Sequence, residues 1–161
     1  MDTMKIRHVQ ASDYDMISPL INDWWGGREM SDMVPRLFFL HFTQTSFVAE
    51  EEEGEVVGFL IGFLSQSHLD EAYIHFVGVH PDYREREVAT KLYDTFFKVA
   101  KVNNRSVVRA ITSPVNKGSV AYHKKMGFEM EKGDKEIDGV PVVTQYDGRE
   151  KDRVLFVRSL G

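Results

Sequence analysis

Two stretches of this chain hold residue types at spacings that can do chemistry. Residues 76–92 read FVGVHPDYREREVATKL. An apolar strand pattern ends at Pro81-Asp82, a turn signal, and a helical pattern follows. The first turn of such a helix exposes unpaired backbone N–H groups and the positive end of the helix dipole, which together bind phosphate. Arg84, Arg86 and Lys91 add positive charge there. Residues 116–128 read NKGSVAYHKKMGF. Asn116 and His123 are seven residues apart, so two helical turns put them on one face, and Gly127 ends the helix before Phe128 starts a strand. The six histidines have no metal-ligand spacing, so no metal is expected. The chain has no cysteine, which excludes disulfides, thiolate nucleophiles and iron–sulfur ligation, and suits a reducing compartment.

The elements that must position these stretches follow from pattern. Residues 4–9 read as a strand. Ser12 and Asp15 have capping-box spacing before a helix over 13–23, and the Trp24-Trp25-Gly26-Gly27 segment breaks that helix. A second helix over 32–42 places Val34, Leu37, Phe38 and His41 on one face, with Pro35 in its first turn. Residues 46–50 and 56–64 form a hairpin around Glu53-Gly54, and Gly58 and Gly62 inside the second strand mark close packing or a bend. A strand over 72–79 leads to a long helix over 86–103 with Val88, Leu92, Phe96, Val99 and Ala100 at helical spacing. A strand over 106–111, a short helix over 116–126, strand pieces at 128–131 and 140–144, and a closing strand over 153–158 complete the order. This is a mixed α/β pattern with helices on both faces of a sheet.

The 161 residues fit one domain spanning 1–161, large enough to bury a core without staples. With 20 Lys+Arg against 25 Asp+Glu the formal charge is −5, which lacks the basic footprint of a nucleic-acid binder. The longest nearly apolar run, 56–64, is about half of the roughly 20 residues a membrane helix needs, and no signal-peptide pattern precedes it. A soluble, cytoplasmic protein is expected, with no nucleic-acid or membrane partner.

Together the two stretches resemble the GNAT superfamily of acyl-CoA-dependent N-acyltransferases. Residues 84–89 resemble its pyrophosphate motif, Arg/Gln-x-x-Gly-x-Gly/Ala, and residues 116–128 resemble its Asn-x6-Tyr-x3-Gly-Phe segment. Their order, their spacing of about 30 residues and the strand–helix frame strengthen the match, which extends over nearly the whole chain. The resemblance implies a mixed, mostly antiparallel sheet of about seven strands, with acetyl-CoA held between two splayed parallel strands. It implies that backbone groups of Val77 and Val79 hold the pantetheine arm. Backbone N–H groups of Arg84, Glu85, Arg86, Glu87, Val88 and Ala89 would hold the pyrophosphate, and Asn116 would touch the pantetheine end. It implies direct attack of a neutral primary amine, of a small molecule or peptide, on the thioester in a ternary complex. A homodimer is common among similar proteins.

The chain departs from the pattern in three places. Glu87 stands at the first motif glycine, where a carboxylate must point away from phosphate. His123 stands where a tyrosine general acid is usual; it acts as acid only when protonated, and Tyr122 competes for that role or packs in the core. Tyr73 stands where many relatives have a glutamate. Strand alternation places Tyr73, His75, Val77 and Val79 on one face, and His75 is the nearest titratable group there to take the amine proton, with Glu71 behind it. These departures also motivate an alternative, a non-catalytic GNAT-like module that binds CoA or a partner protein. Residues 10–35 hold Asp13, Asp15, Asp23, Glu29 and Asp32 against Arg28, and with Trp24 and Trp25 they suggest an acidic, aromatic wall for a cationic amine. Arg28 by itself suits a carboxylate instead. Residues 133–149, with turns at Asp138-Gly139 and Asp147-Gly148, are an excursion that covers the site or pairs with a second chain.

Overall fold

The structure, a computed structural model, describes residues 4–84 and 87–161. Its elements are β1 (Lys5–His8), α1 (Asp13–Trp24), α2 (Leu37–His41), β2 (Phe47–Glu50), β3 (Val56–Leu64), β4 (Glu71–Val79), α3 (Val88–Val102), β5 (Val107–Thr112), α4 (Lys117–Lys125), β6 (Glu129–Met130), β7 (Lys135–Ile137), β8 (Val140–Val142) and β9 (Val154–Ser159). Seven strands form one sheet in the order β1-β2-β3-β4-β5-β9-β6. Only β4 and β5 are parallel neighbours; the other pairs are antiparallel. The expected mixed, mostly antiparallel sheet of about seven strands is therefore present. The excursion after β6 is a separate two-stranded ribbon, β7–β8.

Each face of the sheet carries its own core. On one, Leu92, Phe96 and Ala100 of α3 and Val120 of α4 pack on Leu60, Ile74, Val108 and Phe156. On the other, Ile17, Ile21 and Trp24 of α1 and Phe39 of α2 pack on Val48, Phe59, Ile61 and Phe76. Burial of each such large apolar side chain contributes roughly 1.5–3 kcal/mol. The strand glycines set how closely α3 approaches. A Cβ on Gly58 would lie 2.7 Å from Val88 Cγ1, and one on Gly62 would overlap the Phe96 ring.

Two local expectations are corrected. No capping box forms at α1: Ser12 makes no side-chain cap bond. Buried Asp13 accepts the Gln10 N–H at 2.7 Å and two bonds from the Arg7 guanidinium at 2.8 Å. Burial alone would raise its pKa; the Arg7 and Gln10 bonds and the Arg7 charge outweigh this and hold the carboxyl below its ordinary value. The helix expected over 32–42 is broken. A 3-10 turn (Ser31–Met33) comes first, and α2 begins only after Pro35. Proline disfavours helical backbone at the residue before it, and Val34 lies at φ −131°, ψ 72°. The break re-aims the face: Val34 and Phe39 are fully buried, whereas Leu37 is about half exposed.

Candidate active site

The parallel pair separates partway along. β4 and β5 pair from Glu71↔Val107 to Ile74↔Ala110 and no further, although β4 runs on to Val79 and β5 to Thr112. His80 donates its N–H to the Val57 carbonyl on β3 at 2.8 Å. Backbone groups alternate sides along a strand, so Val79 and Val77 turn theirs toward the gap left by β5. A cavity of about 430 Å³ opens there, lined from β4 by Tyr73, Ile74, His75, Phe76 and Val77 and from β5 by Ala110, Ile111 and Thr112. Ser113, Asn116, Ser119 and His123, Tyr93 of α3, and Trp25, Arg28, Met30, Met33, Asp147 and Arg153 complete the lining. Among the described residues no cluster of His, Asp or Glu could hold a metal ion.

The expectation that Tyr73, His75, Val77 and Val79 share a face is corrected. The β3–β4 register passes from Ile61↔Phe76 to Gly62↔Ile74, leaving His75 as an extra, bulged residue. The bulge reverses the alternation. Val77 and Val79 pack with the α3 core. Tyr73 stacks on Phe63, and His75 stacks on Phe38 at 4.3 Å and 11°. His75 Nε2 lies 2.6 Å from the Met33 carbonyl. That oxygen only accepts, so Nε2 carries the hydrogen and Nδ1 keeps a lone pair. Burial lowers the His75 pKa, partly offset by the Met33 bond and the Asp147 charge. Burial raises that of Tyr73 far above the neutral range, so its phenol stays protonated. Glu71 is bonded to Arg109 at 2.8 Å and does not line the cavity.

Asn116 caps α4 by accepting the Ser119 N–H at 3.1 Å, and Asn116 and His123 both line the cavity, as their spacing requires. His123 is buried and stacked on Phe156 at 4.4 Å. Its Nδ1 donates to the Ser119 carbonyl at 2.8 Å, which leaves Nε2 as acceptor for the Tyr93 hydroxyl at 3.3 Å. Burial lowers the His123 pKa, with the Ser119 bond a smaller opposing effect. It raises that of fully buried Tyr93. Tyr122 points elsewhere: its hydroxyl pairs with Thr90 at 2.7 Å, outside the cavity lining. Sequence reasoning missed Tyr93, which sits one residue beyond the core position Leu92 and reads as packing.

The start of α3 differs from expectation. Glu85 and Arg86, both assigned to the pyrophosphate loop, lie outside the described residues. Helix geometry begins at Val88, and Glu87 is the N-cap residue with φ 58°, ψ 24°, not a member of the first turn. That left-handed backbone is where glycine fits without strain, which explains a motif glycine at this place. Arg84 is anchored: Nη2 donates to the Trp24 carbonyl at 2.5 Å and Nε to that of Val79 at 3.4 Å. Two like charges about 5 Å apart repel by roughly 3 kcal/mol at a dielectric near 20 and under 1 kcal/mol in water. The exposed Glu87 carboxylate lies near the second limit. Glu87→Gly is therefore expected to tighten acetyl-CoA binding by about two- to fourfold in a calorimetric titration; an unchanged or weaker Kd would contradict this.

At the acceptor end Trp25 lines the cavity, its ring tilted against Phe76 at 5.1 Å and 46°, as does Arg28. Trp24 does not; it is 4% exposed, in the core against Phe59 and His80. None of the five acids of residues 10–35 lines this cavity. The excursion does cover the site, since Asp147 reaches it, with Arg153 bonded to Asp147 at 3.1 Å. Both were missed because their proximity to β4 depends on how the ribbon folds back.

The family model described as "Acetyltransferase (GNAT) family" matches residues 14–128. An L-2,4-diaminobutyric acid acetyltransferase of Halalkalibacterium halodurans is 32% identical over 89 residues, 55% of this chain and 47% of that protein. An N-terminal acetyltransferase complex ARD1 subunit homolog of Dictyostelium discoideum is 32% identical over 107 residues, 63% of this chain and 51% of that one. The chain thus spans about half the length of these curated relatives. Among solved structures, Ard1 from Thermoplasma volcanium superposes with a TM-score of 0.77 at 19% identity, covering 98% of this chain and 97% of that one. A diaminobutyrate acetyltransferase from Paenibacillus lautus, solved with its substrate and coenzyme A, gives 0.72 at 19% identity, covering 100% and 98%. Both structural likenesses concern the fold.

Proposed function

The chain belongs to the acetyltransferase (GNAT) family, and on that premise we propose that it transfers the acetyl group of acetyl-CoA to a primary amine of a small molecule or peptide. The observation that carries this is the splay of β5 from β4 beyond Ile74, with the Val77 and Val79 backbone groups turned into the gap. The site fits the cosubstrate. Val77 and Val79 turn backbone groups toward an amide-bearing arm, the Val79 carbonyl also accepting from Arg84 Nε at 3.4 Å; the start of α3 offers N–H groups to phosphate, and Val77 and Asn116 line the same cavity. Acetyl-CoA supplies an activated thioester carbonyl to a neutral amine. With no cysteine, the chain has no thiol to carry an acyl group.

The residues then divide the proton work. His75 Nδ1, neutral and with its ring fixed by Met33 and Phe38, accepts a proton from the acceptor amine. As the C–S bond breaks, the Tyr93 hydroxyl turns its one hydrogen from His123 Nε2 to the departing sulfur, and the tyrosinate is reprotonated from solvent, to which His75 returns the amine's proton. His123 is a positioning residue, holding that hydroxyl through Nε2 while Ser119 fixes its own tautomer. Tyr73 and Trp25 wall the amine from water. A homodimer would be read by light scattering as twice the 18.5 kDa of one chain.

Thermal unfolding with acetyl-CoA tests the reading. A ligand at 100 times its Kd stabilises the folded chain by about 2.7 kcal/mol. For this size that is a rise in Tm of about 5–10 °C. Release of free thiol with a panel of primary amines should follow. No Tm shift at millimolar acetyl-CoA would remove the cosubstrate site; a shift without turnover of any amine would leave a binding module.

A further inference from the structure

Resting on the transfer reading above, we propose that the acceptor is a free amino-acid-type molecule, whose carboxylate is held by the Arg28 and Arg153 guanidiniums while its amine is presented to His75. The acidic wall that would favour a polyamine or other purely cationic amine is not built at this cavity. Asp13 is bonded to Arg7 and Asp15 to Arg36. Glu29 accepts from Asn22 and Ser31, and Asp23 lines a separate groove beside Trp24 and His80.

The charge at the acceptor end comes instead from two guanidiniums and one carboxylate. Arg153 Nε is bonded to Asp147, and its Nη1 donates to the Asp152 carbonyl at 2.8 Å, so Nη2 is uncommitted. Among the described residues the Arg28 side chain has no hydrogen bond or ion pair. The forked donors of arginine match a carboxylate, often through two parallel bonds. The Asp147 carboxylate acts on both His75 and Tyr73, so this charged group lies at the end of the cavity that holds the assigned base. A cationic acceptor without a carboxylate would meet net positive charge there. A zwitterion would offer its anion to the arginines and its amine to the side that holds Asp147 and His75.

Free-thiol release from acetyl-CoA by the full chain tests this, with L-2,4-diaminobutyrate, L-lysine and L-methionine as acceptors, each beside its methyl ester. Esterification removes the carboxylate and lowers the pKa of the neighbouring α-amine, so intrinsic reactivity at that amine favours the ester. The expected result is kcat/KM at least tenfold higher for at least one free acid than for its ester, with the ratio falling toward one in Arg28→Gln. Arg28 is exposed, so its loss leaves the fold intact. Esters turned over as well as the acids would overturn the proposal while leaving the transfer reading in place, as would preferential acetylation of a C-terminally amidated peptide. No turnover of these acceptors would overturn the proposal, and no turnover of the wider panel of primary amines either, with acetyl-CoA still raising Tm, would overturn both.

Discussion

His75→Gln is expected to lower kcat by about 10²–10⁴-fold, the range that positioned general bases supply. Glutamine keeps an N–H able to reach the Met33 carbonyl, so the segment around the 3-10 turn keeps its tie, but no basic lone pair remains. The location makes the effect specific. His75 is the extra residue of the β4 bulge, and its ring is held between the Met33 carbonyl at 2.6 Å and the Phe38 ring at 4.3 Å. Its pKa is lowered, chiefly by burial. The base works in its neutral form, so kcat should hold through neutral pH and fall only below the ordinary histidine value of about 6.5. That acid limb should vanish in His75→Gln. A variant within threefold of the parent, or an unchanged limb, would remove His75 from the reaction.

Tyr93→Phe is expected to lower kcat by about 10²-fold, with KM for acetyl-CoA within about twofold and Tm within a few degrees. The ring is retained, so the edge contacts with Phe97, His123 and Phe128 persist. What is lost is the one hydroxyl assigned to proton delivery. His123, although aligned with the motif tyrosine, is neutral here: Nδ1–H is committed to the Ser119 carbonyl and Nε2 accepts from Tyr93. As a positioning residue it has its own test. His123→Gln, whose amide can still accept from Tyr93, should retain more activity than His123→Leu. If His123→Leu is nearly inert while Tyr93→Phe is nearly normal, the donor is His123.

Much of the frame was legible in local pattern. The periodicity of residues 88–100 marked α3, Pro81-Asp82 marked its approach, and Gly127 at φ 90° ended the segment after α4 as a left-handed glycine should. The spacing of Asn116 and His123 put both on the cavity wall, because two helical turns return to one face. Gly58 and Gly62 marked close packing, and α3 lies directly over both. The left-handed backbone at Glu87 was not legible, since nothing in the residue type announces it, although the family's glycine at that place pointed to an unusual requirement.

By itself, then, the sequence determined the order of the main elements, a phosphate-binding helix start and the Asn116–His123 face. These depend on periodicities of two and 3.6 residues, set by each segment's own backbone; the splayed parallel pair that joins them was implied by the resemblance to the family. Only the tertiary structure decided which side chains do the work. The bulge that separates His75 from the face of Val77 is a mismatch in pairing with β3, invisible within β4 itself. Tyr93 joins His123 from 30 residues away. The charge at the acceptor end comes from Arg28, Asp147 and Arg153, on segments far apart in the chain, while the nearer acids are consumed by partners such as Arg7 and Arg36. A cavity's chemistry is the sum of what distant segments bring to it, and no local period encodes that sum.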